Sequence, residues 1–386
     1  MSRSEATPED EQSPPLRRGW TTGACAAAAA RAAAEMLITG ECPPMVEIAL
    51  PSGARPSFAV AVFERDDASA TAGVVKDAGD DPDVTHGVLV KAKVWRGAPG
   101  SGIAFRAGEG VGTVTKPGLP VPPGEPAINP VPRQMIGLAI REAAQHCHAS
   151  LDDVIVEISI PDGEAIAQKT LNPRLGIIGG LSILGTTGIV VPFSCAAWIH
   201  SIHRGIDVAR ASGLQHIAGS TGSTSEAAIQ RLYGLPDAAL IEMGDFAGGM
   251  LKYLKAHPVP RVTIAGGFAK MTKFGQGMLD LHSKRGSVDN EWLAGLLHDA
   301  GFSPELCAQA REANTAQHVL ELARTADAGL AAKLGDLVAD AAWQTAARVL
   351  GGSGVALDVA VFDRGGELAG RTEARIAHSG LPLNRR

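Results

Sequence analysis

Three consecutive segments in the second half of this chain repeat one order: a strand, a glycine-containing loop and a helix. They are HIAGSTGSTSEAAIQRLYG at 216–234, ALIEMGDFAGGMLKYLKAH at 239–257 and RVTIAGGFAKMTKFGQG at 261–277. Successive strands joined by helices favour a parallel sheet whose loops gather at the carboxyl ends of the strands. Because a helical run (291–350) and a last strand (Val355–Phe362) follow, we predict a Rossmann-like domain over 171–386.

The first half mixes strands and helices without this alternation. Residues 45–62 alternate around a Pro-Ser-Gly turn, as a β-hairpin does. Other stretches are predicted as strands near 87–95, 101–106 and 153–160 and as helices at 24–37 and 133–147. We therefore predict an α+β domain over 18–170, preceded by a disordered tail at 1–17, so that the whole chain is of the α/β class.

Composition and charge narrow the classes of function. The 386 residues include only 4% aromatic side chains and carry a net charge of −6, which suits neither stacking on nucleic acid bases nor binding to phosphate backbones. No apolar run approaches the roughly 20 residues of a membrane span. The five cysteines are widely spaced without a C-x-x-C pair, which predicts neither a disulfide framework nor a thiolate zinc site.

These features predict a cytoplasmic protein that binds neither nucleic acid nor membrane and holds no resident metal. His200 and His203 lie three apart on a predicted helix with Cys195 one turn earlier, and we favour a solvent or interface face there over a metal site. Arg31 and Glu35, one turn apart on the alanine-rich helix, are predicted to mark its solvent-facing side. The assembly state stays open, a homodimer included.

Small hydroxyl side chains precede glycine in three loops: Thr21-Thr22-Gly23, Thr186-Thr187-Gly188 and Ser220-Thr221-Gly222. The first and third precede helices, whose free N–H groups and positive dipole end suit an anion. The alternative is helix capping by the hydroxyl. Ser220–Glu226 matches neither G-x-G-x-x-G nor a P-loop, yet it follows a strand and opens a helix, as nucleotide loops do.

An acidic residue follows the next strand, where it commonly binds the ribose hydroxyls of a nucleoside. Asp245 occupies this place, and capping of the following helix is an equal alternative for it. The prediction for cofactor binding comprises Gly219, Ser220, Thr221, Gly222, Asp245, Gly266 and Gly267.

Five long motifs occur in one order along the chain: GWTTGACAAAAARAA, KDAGDDPDVTHG, GEGVGTVTKPGL, GEPAINPVPR and LNPRLGIIGGLSILGTTGIV. From about Arg18 to about Lys284 the chain resembles the CbiD family. The resemblance implies a cobalt-precorrin-5B C1-methyltransferase of cobalamin biosynthesis that forms cobalt-precorrin-6A. It also implies S-adenosyl-L-methionine as cofactor and a tetrapyrrole as substrate.

The resemblance directs attention to one acidic loop and to isolated basic residues. It implies catalytic roles for Asp77, Asp81 and His86, although Asx turns around Gly79 and Pro82 explain most of these carboxylates without a ligand. A substrate with many carboxylates needs local donors on an acidic protein. The prediction for substrate binding comprises Thr21, Thr22, Lys76, Lys116, Asn129, Arg133 and Lys270. Arg133 is favoured because a cation at a helix start opposes the dipole.

Two other functions remain open at the level of sequence. One is a dinucleotide-dependent oxidoreductase acting on a corrinoid precursor, which would ordinarily carry the glycine fingerprint that is absent here. The other is a corrinoid carrier without catalysis. No Ser/His/Asp or Cys/His nucleophile pattern appears, and methyl transfer does not require one.

Overall fold

A computed structural model describes residues 15–283 and 285–378. The described chain forms two compact units. The first comprises 15–115, 123–173 and 177–194, and the second comprises 116–122, 174–176 and the remainder from Cys195 onward. Most of the predicted tail (1–17) lies outside the described residues, but Arg17 makes contacts within the first unit.

The boundary between the units falls after Ser194, whereas the sequence predicts it after residue 170. Two strand pairings explain the difference. Ile177 and Ile178 pair with Val114 and Thr113. Further along, the strand Ile189–Val190 pairs with the strand Gly19–Trp20. Backbone hydrogen bonds of this kind tie 177–194 to the first unit.

The first unit is an α+β layer. Its strands are β1 (Gly19–Trp20), β2 (Met45–Glu47), β3 (Ser57–Ala59), β4 (Val62–Arg65), β5 (Ser69–Val75), β6 (Leu89–Arg96), β7 (Ile103–Ala107), β8 (Thr113–Val114), β9 (Val154–Ser159), β10 (Ile177–Ile178) and β11 (Ile189–Val190). Its helices are α1 (Thr22–Thr39), α2 (Pro130–His146) and α3 (Gly163–Ala167). The main sheet has the order β4-β5-β6-β9-β7 and is antiparallel except where β7 meets β9. The predicted hairpin is confirmed, since β2 pairs antiparallel with β3.

Helix α1 forms the centre of this unit. It packs against α2, β5 and β6, and its alanines from Ala24 to Ala34 are fully buried. Thr21 caps its start by accepting from the Ala24 N–H, and Gly40 ends it in the left-handed conformation. The predicted solvent face of Arg31 and Glu35 is wrong, because Arg31 forms largely buried ion pairs with Glu35 and with Glu142 of α2.

The second unit has a doubly covered sheet. Its helices are α4 (Cys195–Ala211), α5 (Ser223–Tyr233), a 3₁₀ turn (Asp237–Ala239), α6 (Ala247–Ala256), α7 (Phe268–Gly275), α8 (Asn290–Asp299), α9 (Pro304–Glu312), α10 (Ala316–Ala326) and α11 (Ala328–Leu350). Its strands are β12 (His216–Ser220), β13 (Leu240–Glu242), β14 (Arg261–Gly267), β15 (Ala356–Phe362), β16 (Leu368–Arg371) and β17 (Arg375–Ile376).

The sheet order β13-β12-β14-β15-β16 makes β12 and β14 the point where the chain reverses direction across the sheet. Strands β13, β12, β14 and β15 are parallel, while β16 and β17 pair antiparallel with β15. In open sheets of this kind ligands bind outside the carboxyl ends of the strands at such a switch point. The predicted parallel sheet and helical run are therefore confirmed. Within the part of the chain that the structure describes, no helix is long and apolar enough to cross a membrane.

Candidate functional site

In the first unit, backbone hydrogen bonds join the segment before α1 (17–20) to the acidic loop (77–86). The Trp20 N–H donates to Asp77 O at 2.7 Å, and the Asp80 N–H donates to Arg17 O at 2.9 Å. A Cβ on Gly19 would come within 2.0 Å of the Ala78 carbonyl carbon, and a Cβ on Gly79 within 2.2 Å of Arg17 O. Only glycine allows this approach, so the loop's shape depends on the segment that precedes α1.

Asp77 is held as a carboxylate by Arg17. The Arg17 guanidinium forms a two-point contact with both Asp77 oxygens. This contact, helped by the Gly79 N–H, lowers the pKa of Asp77 to about 2. A carboxylate of such low basicity is a poor general base at neutral pH. Asp77, predicted as catalytic, is thus built to order the loop and present negative charge.

We expect Arg17→Ala to return the pKa of Asp77 toward its ordinary value of about 4. The wild-type pKa is depressed, so the stabilisation from this pair is complete above pH 4 and is lost as the pH falls toward 2. Carbon NMR titration of the Asp77 carboxyl in both proteins measures the shift. An unchanged titration midpoint in the variant would show that Arg17 does not hold the charge.

His86 lies at the end of the same loop with half its side chain exposed. Its Nδ1 accepts from the Ala78 N–H at 3.1 Å, so the neutral imidazole carries its proton on Nε2. In this state His86 offers a hydrogen-bond donor and not a free base.

Lys76 is buried where the sequence predicts a substrate contact. Its side chain is 1% exposed and its Nζ donates to Asp83 Oδ2 at 2.6 Å. Thr85 donates to the other oxygen of Asp83. An enclosed ammonium that is paired with Asp83 holds the loop together and is not exposed to a substrate, so the structure corrects this assignment.

Asp81 reaches a distant loop. Its Oδ1 accepts the Phe193 N–H at 2.9 Å, and Phe193 has a φ of +54° with 67% of its surface exposed. A bulky residue in this conformation is uncommon and needs outside support. Asp81 supplies that support, so this predicted catalytic residue also has a structural task.

The four remaining first-unit candidates divide into occupied and free groups. Thr21 caps α1, and the Thr22 hydroxyl bonds the backbone of Leu184 in both directions. Arg133 donates to Ile128 O, Pro126 O and Glu125, which accounts for it without a substrate. Asn129 precedes α2 and its side chain makes no capping bond, so its amide is a donor that can meet a ligand.

In the second unit, the glycines at the strand ends serve two purposes. A Cβ on Gly219 would lie 2.3 Å from Met250 Sδ, and one on Gly266 would lie 2.5 Å from Met271 Sδ. These two predicted cofactor residues are therefore small so that α6 and α7 can pack on the sheet. Gly222 and Gly267 differ, because a Cβ on either would meet no atom within 4 Å. Both face open space at the starts of α5 and α7.

Asp245 and Lys270 connect the loops at this edge. Lys270 Nζ donates to Thr221 O at 2.8 Å and lies 3.0 Å from Asp245 Oδ1. That oxygen is buried and makes no hydrogen bond among the described residues, the ion pair apart. Asp245 does not cap the following helix, because α6 begins at Ala247 and its N-cap is Phe246. The capping alternative is thus excluded, and the carboxylate is held by Lys270 instead.

Lys116 belongs to the second unit through its own segment. Its Nζ lies 3.4 Å from Arg174 O, and the Arg174 guanidinium donates to both oxygens of Glu226 in the first turn of α5. Lys116 is half-exposed. It lies beside Arg174, whose charge is balanced by Glu226.

Two features escape the sequence reasoning. The sequence places Arg17 in the tail, and the one signal for its role is a pair of arginines before the motif GWTTG. The left-handed Phe193 has no signal in its sequence.

Among residues 15–283 and 285–378, no group of three or more His, Cys, Asp or Glu side chains is placed to hold a metal. Burial raises the pKa of the Cys25 thiol to about 12, so it is not a nucleophile at neutral pH.

Two family models match parts of this chain. Residues 9–192 match the family model described as CbiD, and residues 280–373 match the model described as CbiD, C-terminal domain. A protein of Bradyrhizobium named cobalt-precorrin-5B C(1)-methyltransferase is 70% identical over 96% of this chain and 97% of its own length. One of the same name from Agrobacterium fabrum is 60% identical over 95% of this chain and 96% of its own.

A solved structure adds a further relative. The crystal structure of the cobalamin biosynthesis protein (cbiD) from Archaeoglobus fulgidus is 31% identical, covers 70% of this chain and 83% of that protein, and has a TM-score of 0.39. High identity over nearly the whole length settles the relationship. This chain belongs to the CbiD family.

Proposed function

We propose that this protein methylates C1 of cobalt-precorrin-5B, with S-adenosylmethionine as the methyl donor, and so forms cobalt-precorrin-6A. The observation that carries the proposal is the identity of 54–70% with proteins named cobalt-precorrin-5B C(1)-methyltransferase over 91–96% of this chain.

The carboxyl edge of the second unit supports the cofactor. Asp245 follows the second strand of the sheet, where a carboxylate binds ribose hydroxyls, and its buried Oδ1 has no partner among the described residues other than Lys270 Nζ at 3.0 Å. Gly222 and Gly267 leave open space on both sides of the switch point. These residues would hold the nucleoside, which when bound supplies an activated methyl group on a positively charged sulfur.

The protein's own residues have modest chemical tasks in such a transfer. They must align donor and acceptor atoms and exclude water, which alone contributes a large share of the rate. The His86 Nε2–H in the acidic loop and the Asn129 amide before α2 are the donors we assign to the substrate's carboxylate arms. Asp77 and Asp81 keep that loop in shape through Arg17 and Phe193.

The test is isothermal titration calorimetry with S-adenosylhomocysteine. We expect the wild-type protein to bind it and Asp245→Ala to bind it more weakly by about 1.5–3 kcal/mol, because a charged, partly buried acceptor is lost. Asp299→Ala, at an exposed position on α8, is the matched control and should bind as wild type does.

The same instrument separates the alternatives. A dinucleotide-dependent oxidoreductase would bind NADH or NADPH and not S-adenosylhomocysteine, and a carrier would bind neither. Transfer of a labelled methyl group from S-adenosylmethionine to the tetrapyrrole then tests the reaction. A protein that binds no S-adenosylhomocysteine and transfers no label would contradict the proposed function.

A further inference from the structure

The starts of α5 and α7 are open in a way that the other glycines of this edge are not. Each helix has a glycine at its N-cap, Gly222 or Gly267, which offers no side chain to bond the N–H groups of the first turn. The two helices follow β12 and β14, the neighbouring strands on either side of the switch point. Free N–H groups of two helix starts therefore border one crevice, with the positive ends of both dipoles.

A buried hydroxyl under this crevice has no partner. Ser220 is 0% exposed and its Oγ makes no hydrogen bond among the described residues. It ends β12 on the face that carries His216, whose ring contacts Tyr233 of α5, so it lies under the helix that Gly222 begins. A buried hydroxyl without a partner is costly, and a polar ligand at this place would relieve the cost.

Lys270 adds a charge in a position that the helix itself disfavours. It lies in the first turn of α7, where a cation opposes the dipole. Its Nζ is drawn across to Thr221 O and Asp245 Oδ1. The loop after β12, the loop after β13 and the first turn of α7 thus meet through one ammonium.

We propose that Gly222, Gly267, Lys270 and Ser220 form a carboxylate subsite that binds the amino-acid end of the methyl donor, while Asp245 binds its ribose. The proposal rests on the proposed function and deepens it. In the free protein Lys270 and Asp245 neutralise each other. When the ligand binds, its hydroxyls replace Lys270 at Asp245, and its carboxylate takes the released ammonium. Selection for a nucleoside that carries an amino acid follows directly.

Two ligands that differ only in this end provide the test. S-adenosylhomocysteine has the amino-acid carboxylate, and 5′-methylthioadenosine has the same nucleoside without it. In the full-length protein we expect Lys270→Met to weaken S-adenosylhomocysteine binding by about tenfold or more, because a charge-assisted bond is lost. Binding of 5′-methylthioadenosine should stay within about twofold, and Lys270→Arg should retain most of the affinity for the homocysteine ligand.

Glycine substitutions give an independent measurement. A Cβ on Gly267 meets nothing in the protein, so Gly267→Ala should keep the wild-type unfolding midpoint while its methyl group enters the subsite and weakens S-adenosylhomocysteine binding about tenfold. Gly295→Ala on α8 also meets nothing, lies outside the crevice and is the matched control. Lys252→Met, an exposed lysine on α6, serves the same purpose for Lys270.

The outcomes are distinct. Equal losses for the two ligands in Lys270→Met, or no loss for either, would overturn the carboxylate subsite and leave the proposed cofactor in place. Unchanged binding in Gly267→Ala would do the same. A wild-type protein that binds neither ligand would overturn the proposed function itself, and the subsite with it.

Discussion

Asp358→Ala is expected to destabilise the second unit by about 3 kcal/mol, because it leaves a buried set of donors without their acceptor. Asp358 is fully buried in β15 and accepts from Arg261 at 3.0 and 3.1 Å, from the Thr263 hydroxyl at 2.9 Å and from the Tyr233 hydroxyl at 2.8 Å. The value lies at the low end for buried pairs because the Arg261 side chain is 33% exposed and water compensates it in part.

Urea unfolding measures this loss, and Asp340→Ala is its matched control. Asp340 pairs with Arg375 at 2.8 Å, with both side chains about half exposed, and such a pair contributes less than about 1 kcal/mol. Equal destabilisation by the two substitutions would show that burial of the Asp358 network adds nothing.

Burial and the bond to Asp358 also raise the pKa of Tyr233 to about 12. In Asp358→Ala we expect that phenol to titrate at lower pH.

Gly79→Ala is expected to abolish methyl transfer and to destabilise the first unit by about 3 kcal/mol. Gly79 has a φ of +69°, a conformation that costs a residue with a Cβ about 1–2 kcal/mol. The added Cβ would also lie 2.2 Å from Arg17 O, and relief of such overpacking costs about 1–3 kcal/mol. The segment 17–20 would have to leave the acidic loop, so Asp77 would lose its arginine.

Gly100→Ala separates strain from contact. Gly100 has a φ of +79° but a Cβ there meets nothing within 4 Å, so only the conformational cost applies. We expect this variant to lose about 1–2 kcal/mol and to keep its activity. Calorimetry with S-adenosylhomocysteine should show wild-type affinity in Gly79→Ala at a temperature where both variants are folded, since the residues that we propose for the cofactor belong to the second unit. Retained methyl transfer in Gly79→Ala would contradict a functional role for the loop.

Elements encoded by local patterns were predictable from the sequence. Strands β12, β13 and β14 with their helices follow the strand–loop–helix repeats, and β2 pairs with β3 around the Pro-Ser-Gly turn. Helix α2 begins at Pro130, three residues before the predicted start, because Asn129 is its N-cap and proline suits the first turn. Arg133 therefore lies inside the first turn, where its bonds to Ile128 O and Pro126 O are formed.

Features that depend on distant partners were not predictable. Lys76, seen as a lysine beside an aspartate-rich loop, has the composition of a surface residue, and only the tertiary structure encloses it against Asp83. Glu142 is far along the chain from Arg31, so the ion pair that buries Arg31 leaves no periodic trace. At the carboxyl ends of the second unit's strands, the sequence does not distinguish Gly219 and Gly266, which pack against methionines, from Gly222 and Gly267, where a Cβ would meet open space.

The alanine-rich helix α1 has a consequence for how this sequence tolerates change. Its composition is almost uniform, since alanine occupies most positions from Ala24 to Ala34. Nine of its alanines have no exposed surface, and the helix packs against α2, β5 and β6. Each methyl group sets how closely two neighbouring layers approach, and even one added methylene has no room in such packing. The stretch with the simplest composition is therefore one of the least tolerant of a larger side chain, because every added atom would have to displace a neighbouring layer.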